Sequence, residues 1–135
     1  MTTCITTQDQ QNNDLSLTGI AVTYSNRVTQ PQGESRTLED IVTDIRSNED
    51  LRTSISTLRS IPDQPSRQDF KKKNLSWFSF SKFRENKRTN DAFVSTEFLV
   101  IDIDHVGERL QEILASLRSD PKVFISFLSP SGDGI

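Results

Sequence analysis

Phe98-Leu-Val-Ile-Asp-Ile-Asp104 sets two carboxylates, Asp102 and Asp104, at the end of an apolar run. An extended chain alternates faces, so Phe98, Val100, Asp102 and Asp104 share one side while Leu99, Ile101 and Ile103 share the other. At a rise of about 3.3 Å per residue the Cα atoms of the two acids are roughly 7 Å apart, near enough for their side chains to converge on one cation. Carboxylate oxygens about 5 Å apart repel by roughly 3 kcal/mol at an effective dielectric near 20, so a proton or a metal is expected between them. Oxygen-only ligation of this kind suits magnesium or manganese. The plainer alternatives are two solvated acids at a strand end, or Asp104 as the N-cap of a following helix.

A second chemical signal is Ser129-Pro-Ser-Gly-Asp-Gly-Ile135. Gly132 and Gly134 would let the backbone approach a phosphate, with Ser129, Ser131 and free amide hydrogens binding it. Asp133-Gly134 is equally a turn signal, and an ordinary hairpin turn is the competing reading. The third signal is charge. Arg67 to Arg88 holds eight basic residues against Asp69 and Glu85, a balance of +6 in a chain of net charge -3, so the remainder carries -9. Lys71, Lys72, Lys73 and Arg84 are the candidate nucleic-acid contacts in this segment, with Trp77 available to stack on a base. Against that stand a solvated helix face for the lysines and a place in the core for Trp77, Phe78 and Phe80.

The elements that would position these residues follow from periodicity. Residues 1–17 are polar and aperiodic and are expected to be a disordered lead-in. Gly19 to Tyr24 reads as a strand, and Thr29 to Arg36, with Pro31 and Gly33, as a loop. Thr37 is an expected N-cap for a helix carrying Leu38, Ile41, Val42 and Ile45 and ending near Ser47. A second helix, from about Asn48, presents Leu51, Ile55 and Leu58 and stops before Pro62. A short basic helix over Ser66 to Lys73 precedes an aromatic strand within Leu75 to Phe83. Val106, Leu110, Ile113, Leu114 and Leu117 predict a helix ended by Asp120-Pro121, and Lys122 to Leu128 another strand. Strand, helix, strand with short loops predicts a right-handed parallel crossover, with the acids at the C-terminal edge of the sheet. The expected fold is therefore α/β (α+β): a mixed sheet with a βαβ unit at its C-terminal end and helices packed on it.

The 135 residues are the length of one domain, with 33% hydrophobic residues. No apolar run reaches 18 residues, and the first residues lack the basic and apolar parts of a signal peptide. The single Cys4 excludes an internal disulfide and a thiolate metal cluster. A cytoplasmic protein without membrane contact is expected.

Ile101-Asp-Ile-Asp104, followed by a strand and Ser129-Pro-Ser-Gly-Asp-Gly-Ile135, resembles the start of the VirE-type N-terminal domain, related to the archaeo-eukaryotic primase and primase-polymerase superfamily. Thr37-Leu-Glu-Asp-Ile41 and Lys71-Lys-Lys-Asn-Leu75 extend the resemblance, which covers roughly residues 19–135. It implies a catalytic core in which Asp102 and Asp104 bind magnesium or manganese for nucleotidyl transfer onto nucleic acid. It further implies that Ser129, Ser131, Gly132 and Gly134 lie against a nucleoside triphosphate. In that reading residues 18–135 are the N-terminal portion of a primase-like domain truncated at Ile135, inactive by itself, from a replication or mobile-element protein. A downstream helicase or primase C-terminal domain would follow in the full-length protein. His105, next to Asp104, reads as a helix-start residue. A competing expectation is a non-catalytic module that holds single-stranded DNA through residues 67–88. A two-Asp phosphatase is a third, with no nucleophile at a recognisable spacing.

Overall fold

The computed structural model describes the backbone of Thr6–Thr7 and residues 17–135. Residues 1–17, expected as a disordered lead-in, lie outside the described residues except for Thr6–Thr7 and Leu17. The chain divides into two compact units, one over Leu15–Val100 and one over Ile101–Ile135 with the segment near the N-terminus. Its class is mixed α+β, with α-helices and small antiparallel sheets.

In chain order the strands and helices begin with β1 (Thr6–Thr7), β2 (Ala21–Ser25), β3 (Glu34–Thr37), α1 (Leu38–Ser47), α2 (Glu49–Ser60) and α3 (Gln64–Asn74). They continue with β4 (Trp77–Ser79), β5 (Lys82–Phe83), β6 (Phe93–Ser95), α4 (Leu110–Ser119) and β7 (Ile125–Ser126). Short 3-10 turns fill Arg84–Asn86, Asn90–Ala92 and Gly107–Arg109.

Within Leu15–Val100, β2 is the centre of a three-stranded antiparallel sheet, flanked by β3 and β4. Val22 faces Arg36 across one edge, and Ser25 faces Trp77 across the other. The sheet's third strand, β3, occupies the end of the stretch read as a loop. Each α-helix of this unit starts where a side chain satisfies amides that the helix itself leaves unpaired. Thr37 forms a reciprocal capping box with Asp40 ahead of α1. Asn48 closes α1 through its amide and opens α2 by accepting from Leu51 N at 3.0 Å. Asp63 caps α3 by accepting from Ser66 N at 2.8 Å. The apolar stripe of α1 supplies buried Leu38, Ile41 and Val42, and α2 supplies Leu58. Leu38 and Leu58 are fully buried and form the centre of this core with Ile20, Val22, Leu75 and Trp77. Trp77 is thereby a core residue, as the packing alternative has it.

The predicted buried strand at Phe98–Asp104 is not formed. These residues belong to no strand, and Leu99, Val100 and Ile101 are 87%, 67% and 68% exposed. Periodicity marks an apolar run as strand-like but supplies no pairing partner, and no strand among the described residues pairs with Phe98–Asp104. The parallel crossover expected around α4 is likewise absent among the described residues. Lys122–Leu128 contributes only the two residues of β7, which pairs antiparallel with β1, Thr6 opposite Ser126. Val106 and Leu114 are the buried apolar residues of this unit.

Candidate functional site

Although no strand forms at Asp102–Asp104, its backbone is locked to the C-terminal turn. Ile103 and Ile135 exchange both amide-to-carbonyl bonds, at 2.9 and 3.0 Å, and Val106 N donates to Asp133 O at 3.1 Å. The turn closes on itself. Ser129 N donates to Gly134 O at 2.8 Å, Gly132 N to Ser129 O at 2.9 Å, and Gly134 N to Ser129 Oγ at 3.1 Å. Gly134 is buried where these two segments meet. A Cβ there would stand 2.7 Å from Ile103 O, 3.3 Å from Asp104 Oδ1 and 3.4 Å from Ser129 Oγ. Glycine is required because only a bare α-carbon accommodates the Ile103 carbonyl oxygen so closely, with the Asp104 carboxylate and the Ser129 hydroxyl around it.

The structure therefore brings Asp104, Ser129 and Gly134 together, with Ser131 Oγ 3.4 Å from Ser129 Oγ. Asp102 lies two residues away on the same exposed segment. Neither Asp102 nor Asp104 forms an ion pair among the described residues. Asp104 is not a helix cap, since the first helical turn opens only at Gly107 and α4 at Leu110. The amides of Gly132 and Gly134, expected to face a phosphate, are used within the turn. Asp133, a turn residue by its Asp-Gly pair, also faces His105. Its Oδ2 is 3.9 Å from His105 Nδ1, on a His105 held at φ 55°. Histidine, with asparagine and aspartate, is among the non-glycine residues enriched at positive φ, and that was the available signal at His105.

No group of three His, Cys, Asp or Glu among the described residues forms a cation cage. The donor set fits a different mode. Magnesium retains several waters and is commonly held by one or two carboxylates together with substrate phosphates, and two exposed acids free of cationic partners meet that need.

The basic segment is distributed over α3 and the loop after β5. Lys71, Lys72 and Lys73 occupy the last turn of α3, where positive charge also complements the helix dipole. Lys73 Nζ pairs with Asp69 at 2.7 Å, whereas Lys71 and Lys72 have no ion pair among the described residues. Arg84 donates to the backbone carbonyl of Asp91. Trp77 is unavailable as a stacking platform. Its ring is buried, the Arg88 guanidinium covers it at 4.1 Å from the centroid, and Nε1 donates to Gln30 O at 2.9 Å.

Both groups of candidate residues, the acid pair with its turn and the lysines with Arg84, fall between Phe70 and Ile135. That interval is the one that a known family covers. Residues 70–135 match the BT4734-like N-terminal domain. The match corrects the resemblance drawn from the acid pair and the serine-glycine turn: the family found over those residues is BT4734-like, not the VirE-type primase-like domain. Short motifs of small and acidic residues recur at turns in unrelated chains, which is why they misassigned the family. The BT4734-like match starts inside α3 and takes in β4 through β7, so it crosses from one compact unit into the other. No curated protein and no solved structure matches the chain.

Proposed function

We propose that Asp102 and Asp104, beside the Ser129–Gly134 turn, hold a magnesium or manganese ion that engages the phosphates of a nucleoside triphosphate. The observation that carries this reading is the reciprocal Ile103–Ile135 backbone pair, which fixes Asp104 against Gly134 and Ser129. A bound ion would supply positive charge at the phosphate oxygens. The chain's own contribution is to hold two carboxylates on one exposed segment and keep the Ser129 and Ser131 hydroxyls within reach of the same ligand. The test is a calorimetric manganese titration with and without a nucleoside triphosphate. Binding should tighten with the triphosphate and vanish in the Asp102→Asn, Asp104→Asn double variant. Unchanged manganese affinity in that variant would sink the reading.

A second reading is that residues 67–88 bind single-stranded nucleic acid without metal. Lys71 and Lys72, free of ion pairs among the described residues, favour it. Binding that persists in EDTA, falls steeply with salt and is lost when Lys71, Lys72 and Lys73 become Gln would support it, since each neutralised phosphate releases counterions. A flat salt response would count against it. No helix among the described residues is long and apolar enough to cross a membrane. The single cysteine supports a cytoplasmic setting.

A further inference from the structure

The β5–β6 pair builds a recess that neither reading uses. Its register sets Phe83 opposite Phe93, and the two rings meet edge to face, 6.3 Å apart at 75°. Phe83, Arg88, Thr89, Asn90 and Phe93 line a space of about 390 Å³, within the range of roughly 300–1,000 Å³ usual for small-ligand sites. Phe93 is 47% exposed, so its ring is accessible from solvent at the recess.

We propose that this recess receives the base of a nucleotide or of a single nucleic-acid strand. An edge-to-face pair leaves a ring face open, and a flat base can lie on it. The wall opposite is fixed. Arg88 is pinned between the Trp77 ring and Val28 O, to which it donates at 3.0 Å, while its own amide donates to Pro31 O at 2.8 Å. Thr89 Oγ1 is buried against Asp91, whose carboxyl it holds below the usual carboxylate range. The exposed Asn90 amide, which also lines the recess, offers a donor and an acceptor to a base edge. Exposed Lys87 immediately precedes Arg88 in the chain, and a cation there favours a phosphorylated base over a purely apolar ligand.

This proposal rests on the second reading above, and the experiment separates the two. Fluorescein-labelled oligothymidylate and an abasic strand of equal length are titrated with the full chain in EDTA, read by anisotropy, with thymidine monophosphate as competitor. The oligothymidylate should bind about tenfold more tightly than the abasic strand. Phe93→Ala should erase that preference, and Phe93→Trp should retain it, which guards against a variant that merely misfolds. Replacing Lys71, Lys72 and Lys73 by Gln should weaken both strands alike. Competition by the free monophosphate identifies a free nucleotide as the ligand, and its failure identifies a strand. Equal binding of the two strands, or an unchanged preference in Phe93→Ala, overturns the pocket while leaving the basic surface standing. Failure of both strands and of the monophosphate overturns both.

Discussion

Gly134 carries more of the candidate site than either acid. Its missing side chain is what admits Ile103 O, the Asp104 carboxylate and the Ser129 hydroxyl to one place. Gly134→Ala forces a Cβ to 2.7 Å from a backbone oxygen that has no room to yield. It should lower stability by about 1–3 kcal/mol, the usual range for overpacking. It should also weaken manganese binding although no ligand has been changed, which thermal melting and calorimetry on the same variant will show. The sequence reveals that Gly134 matters, because Asp-Gly marks a turn, but not why. The partner that makes it obligatory, Ile103 O, is 31 residues distant and belongs to a segment whose own conformation was misread.

At the level of the elements, the helices were legible and most strands were not. Thr37 and Asn48 are polar caps placed directly before apolar stripes of helical period, and α1 and α2 begin where those residues stand, whereas α3, without such a stripe, starts at Gln64 behind its Asp63 cap, two residues ahead of the expected Ser66. Caps act within one turn, so their signal is local in sequence. Thr37→Ala should cost about 1 kcal/mol by removing the acceptor for Asp40 N. Acid should weaken the same caps. Hydrogen bonds with Thr37 hold Asp40 below its ordinary value, and a bond from Ser66 N does so for Asp63. A carboxyl whose folded value is depressed stabilises the fold above its unfolded pKa and loses that contribution as pH falls through the folded value. Helicity by circular dichroism should therefore begin to decline below about pH 4. Thr37→Ala should shrink that decline, because Asp40 then loses the bond that depresses it. Strands depend instead on a receiving edge elsewhere in the chain. β2 was recognisable because it is central and apolar, whereas Phe98–Asp104 has the composition of a strand without an edge to join.

On the scale of the whole molecule, that misread segment spans the boundary between the two compact units, at Val100 and Ile101. Three consecutive large aliphatic residues there, Leu99 to Ile101, are more than half exposed. Exposed backbone outside regular structure is where proteases enter. Limited digestion with a protease that cuts after large aliphatic residues should therefore cleave first between Leu99 and Ile101, as read by mass spectrometry. Early cuts confined to α1 or α2 instead would mean that this stretch is covered in solution. The α+β class was readable from alternating patterns. The division into two units was not, because the apolar run at the boundary has the appearance of core.

The same division gives each unit a private spectroscopic label. The chain contains one tryptophan and one histidine, and Trp77 lies in the Leu15–Val100 unit while His105 lies in the other. Indole emission thus reports on the three-stranded sheet alone, and the imidazole proton resonances report on the acid loop alone. Melting of the two halves can be followed separately in the native, unlabelled protein.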